Sequence, residues 1–317
     1  MNSKYPKISI VTVNLNQVKF LEECILSVLD QNYPNLEYII IDGGSSDGSV
    51  DIIKKYENRI TYWESTKDKG QYYALQKGLS KTTGEIMAWI NSDDKYLPKS
   101  FIAIAQIFQC FPSISWLTSV AKEYTEEGIL VNRITPQWSQ WSKTRYLTYD
   151  FQFIQQESTF WKRSLWEVAG GHINTEFELA GDMELWARFF RYEELHTTVA
   201  SIAGFRYRKL NQRSRLFLDK YLNESKNIIK RERRMLPFLS NIKYTLLRPF
   251  GMFLSIFFFL DIPFLRKLYS FLYCIPTLIT YDFDQHQFIQ KNYLVKLPSL
   301  FTFGKQVHRK MKFKNDE

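Results

Sequence analysis

Short apolar segments alternate with amphipathic segments through the first ninety residues of this 317-residue chain. The apolar segments are rich in Ile and Val, which indicates buried strands, and the segments between them space their apolar residues as helices do. The predicted strands are residues 7–13, 36–41, 60–64 and 86–90. Strands and helices in this order form a parallel sheet with right-handed crossovers. The sequence therefore predicts an α/β fold with a mostly parallel central sheet flanked by helices.

Polar or acidic residues stand where each predicted strand ends. They are Asn14, Asp42, Asp68, Asp93 and Asp94. The carboxyl ends of parallel strands lie at one edge of the sheet, where open α/β folds bind their ligands. No G-x-G-x-x-G follows either of the first two strands, which disfavours a dinucleotide site. We therefore expect these side chains to lie together at a binding site of another kind.

The adjacent acids Asp93 and Asp94 directly follow the fourth strand, in the run Gly84-Glu-Ile-Met-Ala-Trp-Ile-Asn-Ser-Asp-Asp94. Carboxylate oxygens suit Mg²⁺ or Mn²⁺, above all when diphosphate oxygens complete the coordination shell. Alternatively, the two acids could complement the dipole of the helix predicted after Pro98.

Composition excludes several classes of protein. The three cysteines, Cys24, Cys110 and Cys274, form no close pair, so a disulfide framework and a Cys-type zinc site are excluded. The four histidines include no His-x-x-x-His pair, which disfavours a zinc hydrolase. No signal peptide is apparent, and we expect the active domain to stay in the cytoplasm.

The net charge of +9 is concentrated in the last third of the chain. Residues 1–200 carry 20 Lys and Arg against 25 Asp and Glu, a charge of −5. Residues 201–317 carry 22 against 8, a charge of +14. This asymmetry predicts an anionic partner for the C-terminal part, either membrane lipid or nucleic acid.

The character of the sequence changes after residue 215, so we divide the chain into residues 1–215, a catalytic domain, and residues 216–317, a helical appendage. A basic helix is predicted over residues 220–234, and apolar, aromatic-rich runs follow at 249–260 and 268–281. Each run is shorter than the roughly 20 residues that span a bilayer. Their basic flanks favour a helical pair at a membrane interface over nucleic acid. Packing on the catalytic domain or on a second subunit is the alternative. The tail from His308 is predicted to be solvated.

Four motifs resemble those of family 2 glycosyltransferases, and their order and spacing match as well. They are Ile8-Ser-Ile-Val-Thr12, Ile41-Asp-Gly-Gly-Ser-Ser-Asp-Gly-Ser49, Asp68-Lys-Gly-Gln-Tyr72, and Gly84-Glu-Ile with Asn91-Ser-Asp-Asp94. The resemblance continues through Gln156-Glu-Ser-Thr-Phe-Trp161, Gly170-Gly171 and Asp182-Met-Glu-Leu-Trp186, and covers roughly residues 6–215. It implies a GT-A type, Rossmann-like fold and a nucleotide-sugar donor.

The resemblance also implies roles for individual residues. The residues expected to bind the donor nucleotide are Thr12, Val13, Asn14, Leu15, Asp42, Asp68, Gly70, Gln71 and Asp93. Asp42 would bind the base, although an Asx-turn into the glycine loop is the alternative. Asp68 could instead cap the next helix. Asp94, with Asp93, would bind a divalent ion, Mn²⁺ or Mg²⁺, and Asn91 stands where many members have the first acid.

For the chemical step, the resemblance makes Asp182 the base that takes the proton of the acceptor hydroxyl. Glu184 is the competing acid, but two residues along a helix it would point elsewhere. Gln156 and Glu157 would lie near the donor sugar or the acceptor. Arg206, Arg208 and Gln212 occupy the segment that closes over the diphosphate in related enzymes, without the histidine often found there.

The resemblance, together with the basic and aromatic C-terminal third, implies an inverting glycosyltransferase that builds a cell-surface polysaccharide or glycolipid. The expected acceptor is a saccharide or lipid-linked saccharide, and the enzyme would lie on the inner face of the cell membrane, bound to its anionic surface. A homo-oligomer is possible, and no nucleic-acid partner is expected. A nucleotidyltransferase is disfavoured because Asn14-Leu-Asn-Gln17 offers no glycine-rich or basic loop. Intact acids at the motif positions disfavour a non-catalytic binding module.

Overall fold

The computed structural model describes residues 5–120, 122–131, 140–148, 154–208, 212–257 and 262–291. The predicted solvated tail from His308, and the last residues of the apolar run at 249–260, lie outside the described residues.

A nine-stranded sheet forms the centre of the molecule, and a four-stranded sheet lies beside it. The strands are β1 (Ile8–Asn14), β2 (Leu36–Asp42), β3 (Tyr62–Ser65), β4 (Ile86–Asn91), β5 (Lys95–Tyr96), β6 (Trp116–Ser119), β7 (Lys122–Tyr124), β8 (Leu130–Val131), β9 (Thr159–Lys162), β10 (His196–Thr198), β11 (Ala203–Arg206), β12 (Leu278–Asp282) and β13 (Gln287–Lys291). The order is β13-β12-β10-β6-β9-β4-β1-β2-β3 in the large sheet and β5-β11-β7-β8 in the small one.

Most neighbouring strands of the large sheet are parallel, as the sequence predicted. Strand β1 lies between β2 and β4, parallel to both, and β9 is the antiparallel strand between β4 and β6. In the register, Asn14 is opposite Asp42, and Val13 is opposite Asn91. The carboxyl ends of these three strands are therefore level with one another.

Helices connect the strands and cover the sheet. They are α1 (Val18–Leu29), α2 (Ser49–Lys55), α3 (Gln71–Ser80), α4 (Ser100–Cys110), α5 (Lys143–Leu147), α6 (Arg163–Val168), α7 (Gly181–Phe189), α8 (Arg213–Leu216), α9 (Leu218–Arg234), α10 (Phe238–Phe257) and α11 (Pro263–Leu272). A 3₁₀ turn over Gln156–Ser158 leads into β9. Helix α3 approaches the sheet closely because it has Gly78, where a Cβ would lie 2.5 Å from Val11 Cγ1.

A cluster of buried tryptophans joins α7 to the sheet. The rings of Trp186 on α7 and Trp89 on β4 are stacked, with centroids 5.5 Å apart and planes inclined by 10°. Trp161 on β9 packs edge-on against both, at 5.4 and 5.8 Å. Such contacts between large buried rings stabilise the core and fix the relative position of the elements that carry them. The start of α7 is thereby placed relative to the end of β4.

The C-terminal region contains strands as well as helices. The apolar run at 268–281 was predicted to be helical, and this is wrong beyond Leu272, because Leu278–Asp282 forms β12 and pairs with β10 and β13. Pro276 lacks the N–H that a continuing helix needs, and the following β-branched residues favour a strand. Ile228, Ile229 and Ile279 belong to the main hydrophobic core. The domain boundary after residue 215 stays a prediction.

Among the described residues, no helix combines the length and the apolar character that crossing a membrane would require.

Candidate functional site

Asn14 and Asp42, at the ends of β1 and β2, form the base of the site. Asn14 Nδ2 donates to Asp42 Oδ1 at 2.7 Å. The Asp42 carboxylate also accepts from Gly44 N, from the Ser45 amide and hydroxyl, and from the Ser65 hydroxyl. Burial opposes ionisation, but these hydrogen bonds outweigh it and lower the pKa of Asp42. Asp42 thus forms the Asx-turn that was considered as its alternative role. Direct contact between Asp42 and the nucleotide base stays a prediction.

Residues 12–15, which are among those expected to bind the donor nucleotide, differ in their exposure. Thr12 and Val13 are buried, and the Thr12 hydroxyl lies 3.0 Å from the Tyr38 hydroxyl in the core. Only the backbone of these two residues could face a nucleotide. Leu15 is 52% exposed and presents its side chain at the sheet edge.

Asp68 lies beside Leu15, across the glycine turn. A Cβ at Gly43 would lie 2.8 Å from Asp68 Oδ2 and 3.4 Å from Leu15 Cδ1, so the bare glycine leaves room for both side chains. Asp68 Oδ1 accepts at 2.8 Å from the N–H of Gly70, the residue just before α3, which forms an Asx-turn, and the capping of α3 by Asp68 stays a prediction. A cavity of about 240 Å³ adjoins Asp68 and is lined in part by Lys67, Lys69 and Lys77. Glu64 also lines this cavity and forms an ion pair with Lys77, so the lining contains charges of both signs.

The acid pair after β4, which consists of the partly exposed Asp93 and the buried Asp94, contacts two arginines. Arg208 Nε lies 3.2 Å from Asp93 Oδ2. The Arg206 amide donates to Asp94 Oδ1 at 2.9 Å, while Arg206 Nε donates to the Asp93 carbonyl at 2.7 Å. The Arg206 guanidinium also contacts Glu23 and the Glu126 carbonyl. Arg206 was predicted near the diphosphate, but its guanidinium is buried and binds protein groups. It supports the acid pair, and Arg208 is the more exposed of the two arginines.

Several buried polar atoms around Asp94 have no hydrogen-bond partner among the described residues. They are Asp94 Oδ2, Glu157 Oε1, and both the oxygen and the nitrogen of the Gln156 side-chain amide. Burial raises the pKa of Asp94 far above its usual range, and the charges of Asp93 and Glu157 add to this rise. Burial likewise raises the pKa of Glu157 to about 8. Unpaired buried carboxylates are costly, and a bound cation or ligand would relieve that cost.

The donor set fits a divalent cation only in part. Within the described part of the chain, no group of three or more His, Cys, Asp or Glu side chains could hold a metal ion alone. Asp94 offers one unpaired oxygen, and Asp93 offers a carboxylate that Arg208 contacts. Mg²⁺ and similar ions commonly take one or two carboxylates and complete their shell with water and substrate phosphates. Asp93 and Asp94 fit that kind of site.

Asp182 is the second residue of α7 and is partly accessible. Its Oδ1 lies 3.4 Å from the Tyr72 hydroxyl. Burial raises the pKa of Asp182 to about 6, close to the value that suits a general base at neutral pH. Glu184, its competitor, is buried and accepts from Arg188 Nε at 3.0 Å and from Arg231 at 2.8 Å. Glu184 is therefore part of a structural ion-pair cluster.

Two residues of this site were missed in the sequence. Tyr72 is the last residue of the Asp68-Lys-Gly-Gln-Tyr72 motif, so the sequence did contain a signal for it. No role in the site was predicted for Tyr72. Glu224 lies on α9 and accepts hydrogen bonds from the backbone just before α7. No sequence motif marks Glu224, because its role depends on how α9 packs against α7.

Solved structures of Staphylococcus aureus TarS share this fold. The TarS 1–349 structure in complex with UDP-GlcNAc has a TM-score of 0.59 and 16% identity, covering 75% of this chain and 70% of that chain. The complex with UDP has a TM-score of 0.55 and 17% identity, covering 75% and 69%. The fold is therefore of the GT-A type that the sequence predicted.

Residues 9–212 match the family model described as glycosyl transferase family 2, which is more than half of the chain, so the chain belongs to that family of enzymes. Two relatives agree with this. The uncharacterized glycosyltransferase Rv1514c of Mycobacterium tuberculosis H37Rv is 32% identical over 101 residues, 32% of this chain and 38% of that protein. TuaG of Bacillus subtilis 168, a glycosyltransferase named for teichuronic acid biosynthesis, is 35% identical over 101 residues, 30% of this chain and 39% of that protein. The chain thus matches less than half the length of either relative.

Proposed function

We propose that this protein is an inverting glycosyltransferase that moves a sugar from a nucleotide-diphospho-sugar to an acceptor hydroxyl. The observation that supports this proposal most strongly is a group of buried, unpaired polar atoms just after β4 and in the 3₁₀ turn before β9. They belong to Asp94, Gln156 and Glu157. These atoms lie on the acid-rich edge of a sheet that also carries the partly accessible Asp182. A site of this kind binds a charged, polar substrate.

The donor would lie across the carboxyl ends of β1, β2 and β4. Its nucleoside would contact Leu15, Asp68 and the backbone of the glycine turn that Asp42 stabilises. Arg208 would contact the diphosphate, because it is the more exposed arginine next to the acid pair. Gln156 and Glu157 would bind sugar hydroxyls with their unpaired polar atoms.

Asp94 and Asp93 would hold a divalent cation, Mn²⁺ or Mg²⁺. When bound, such an ion supplies electrostatic stabilisation of the negative charge that builds up on the leaving diphosphate. The unpaired Asp94 Oδ2 supports this assignment.

Asp182 would act as the base in a single displacement. The acceptor oxygen bonds to the anomeric carbon, its proton passes to the Asp182 carboxylate, and the bond from that carbon to the diphosphate oxygen breaks. One carboxylate is enough for this step. Attack from the face opposite the leaving group inverts the configuration of the anomeric carbon.

For the acceptor, we propose a growing cell-surface polysaccharide or a lipid-linked saccharide. The support is the resemblance to TuaG, whose name refers to teichuronic acid biosynthesis. The TarS structure with UDP-GlcNAc supports a nucleotide-sugar donor of the same general kind.

A thermal-shift series with UDP, GDP, CDP and dTDP, each with and without Mn²⁺, tests donor binding. We expect one nucleoside diphosphate to raise Tm, and Mn²⁺ to enlarge that shift, because a ligand that binds the native state stabilises it. Asp94→Asn should remove the Mn²⁺-dependent part, whereas Asp51→Asn on the exposed face of α2 should not. No shift with any of the four would contradict the proposal. Proton NMR of the product formed from the matching nucleotide-sugar then reports inversion.

We further propose that the α10–α11 pair binds the anionic inner surface of the cell membrane. Its exposed apolar side chains include Phe238, Leu239, Leu246, Phe253, Phe264 and Phe271. Neither helix contains an acidic residue, and both contain Lys and Arg. Apolar aromatic side chains with basic neighbours favour the interface of an anionic bilayer.

Vesicle flotation tests this surface in the full chain, because α9 and β12 contribute to the core and a deletion would disturb the fold. We expect the protein to float with phosphatidylglycerol vesicles but weakly with phosphatidylcholine vesicles. Phe264→Asp with Phe271→Asp should abolish flotation, whereas Ile129→Asp, also at an exposed apolar side chain, should not. Flotation that the double variant leaves unchanged would contradict the proposal. If the double variant instead converts a dimer to a monomer in sedimentation, the surface binds a second copy.

A further inference from the structure

Side chains on two other helices form hydrogen bonds with the backbone just before α7. Leu179 N and Ala180 N donate to Glu224 Oε2 on α9, at 3.0 and 2.9 Å. The Leu179 carbonyl accepts from the Tyr72 hydroxyl on α3 at 2.7 Å. The N-cap residue of α7, Ala180, has no side chain that could cap the helix. Helices α3 and α9 therefore fix this turn from outside.

The turn leads directly to Asp182 and is tightly packed there. The Tyr72 hydroxyl lies 3.4 Å from both Asp182 N and Asp182 Oδ1. At Gly181 a Cβ would lie 2.8 Å from the Tyr72 ring, so the ring packs directly on the backbone beside Asp182. A displacement of residues 179–181 would consequently move the Asp182 carboxylate.

Helix α9, which contains Glu224, is held in place by core packing and by ion pairs. Ile228 and Ile229 of α9 are buried in the main core. Further along, Arg231 of α9 donates to Glu184 of α7 at 2.8 Å. Arg191 makes two hydrogen bonds to Glu232, at 2.8 and 2.7 Å. Because both ends of α9 are bonded to α7 or its flanks, Glu224 has a fixed position relative to Asp182.

The charge of Glu224 also acts on Asp182. Burial is the largest cause of the raised pKa of Asp182, and the negative charge of Glu224 adds to it. The titratable groups that interact with Asp182 come from α3, α5, the 3₁₀ turn and α9, and they are Tyr72, Tyr146, Glu157, Tyr221 and Glu224. Near pH 7 the three tyrosines, whose pKa values are raised by burial, are neutral, and most of Glu157 is protonated because its pKa is raised to about 8.

We propose that Glu224 is a positioning residue for the base, which fixes the 179–181 backbone through two N–H groups and places a negative charge near the Asp182 carboxylate. The inference rests on the proposed role of Asp182. Glu224 lies beyond the family match at residues 9–212, so the C-terminal region contributes to the geometry of transfer.

Three variants of the full chain separate the two effects. Glu224→Gln keeps an oxygen acceptor for the two N–H groups but removes the charge, and Glu224→Ala removes both. Glu178→Gln is the matched control, because exposed Glu178 also links this loop to α9, through Lys220, without contacting the backbone of the turn. Thermal unfolding of each variant reports whether its fold is intact.

The direct measurement is the titration of the Asp182 carboxyl by NMR in protein labelled with ¹³C-aspartate, with Asp182→Asn to assign the resonance. We expect the Glu224→Gln midpoint to fall by about 0.5 pH unit or more. For the donor selected by thermal shift, Glu224→Ala should lower kcat roughly 10- to 100-fold with little change in KM, because small misplacements of a reacting group are costly. Glu224→Gln should recover much of that loss, and Glu178→Gln should match the wild type.

An unchanged midpoint in Glu224→Gln, or a Glu178→Gln variant that loses as much activity as Glu224→Ala, overturns the inference. If Glu224→Ala fails to fold, the inference is still tested by the Asp182 titration midpoint and the pH–rate profile of Glu224→Gln. An Asp182→Asn variant with the wild-type rate refutes the proposed base itself. An inactive Asp182→Asn variant beside fully active Glu224 variants refutes only the role of Glu224.

Discussion

Gln71 and Asn91 are joined by a 2.9 Å hydrogen bond from Gln71 Nε2 to Asn91 Oδ1, which connects the first residue of α3 to the last residue of β4. Asn91 thus faces the site, two residues before the acid pair, where many family members are expected to have an acid. The amide oxygen of Asn91 is already used by Gln71, and a carboxylate at this position could accept the same bond and keep a second oxygen for a cation.

We therefore predict that Asn91→Asp binds Mn²⁺ about threefold or more tightly than the wild type, since a further negative charge strengthens a site for a hard cation. Isothermal titration with MnCl₂ measures the affinity. The matched control is Asn35→Asp, which adds the same charge before β2 at the opposite edge of the sheet. An equal gain in both variants would show that overall charge, and no local ligand, is responsible.

Asp94→Asn should change stability and activity in opposite directions. The carboxylate is buried with one unpaired oxygen, and its raised pKa means that ionisation costs folding free energy above the unfolded pKa near 3.8. Removing the charge should raise Tm in metal-free buffer by roughly 2 °C or more, while the rate of transfer falls. The gain in Tm should grow as pH rises from about 3.8 and then level off. Differential scanning calorimetry across this range measures it, and a lower Tm at pH 7 would contradict the assignment.

The sequence was sufficient to predict the part of the fold built from local patterns. Continuous apolar runs such as residues 86–90 predicted buried strands, here β4 (Ile86–Asn91), and the polar residues after them marked the binding edge. The pairing of Asn14 with Asp42 followed from that arrangement, because parallel strands bring their carboxyl ends level.

Features that depend on long-range packing could not be predicted in this way. The run at 268–281 has the composition of an apolar helix, yet the free edge of β10 pairs with Leu278 and Ile279. Arg206 looked like a phosphate ligand, but it is folded inward onto Glu23, which is far away in sequence. The local sequence contains no information about such partners.

The activity should depend on pH through Asp182. Its folded pKa is raised to about 6, so the carboxylate that accepts a proton is lost as pH falls below that value. We expect kcat to fall about tenfold for each pH unit well below 6. Asp182→Asn should lower kcat by roughly 10² to 10⁴ with donor KM little changed. Initial rates between pH 5 and 8, with donor affinity measured in parallel, test both statements, and a flat profile down to pH 5 would argue against Asp182.

Glu37 should stabilise the fold from the edge of the sheet opposite to the site. It is buried, and its carboxylate accepts from Lys7 Nζ and Thr83 N, both at 2.6 Å, and from Ser9 Oγ at 2.5 Å. Burial alone would raise the pKa of Glu37, but the hydrogen bonds prevail and lower it to about 2. Glu37→Gln should therefore reduce the free energy of unfolding at pH 7 by about 1–3 kcal/mol, because charge-assisted hydrogen bonds of a buried group are lost.

The lowered pKa of Glu37 also determines how the stability lost in Glu37→Gln depends on pH. The ionised carboxylate stabilises the folded state fully above the unfolded pKa near 4.5, and this stabilisation disappears as pH falls through about 2. Urea unfolding at pH 7 and pH 3 should thus show a smaller difference between wild type and Glu37→Gln at the lower pH. Glu22→Gln removes an exposed ion pair with Lys55 and should cost less than about 1 kcal/mol at either pH. A Glu37→Gln effect no larger than that of Glu22→Gln would show that the buried network adds nothing beyond a surface pair.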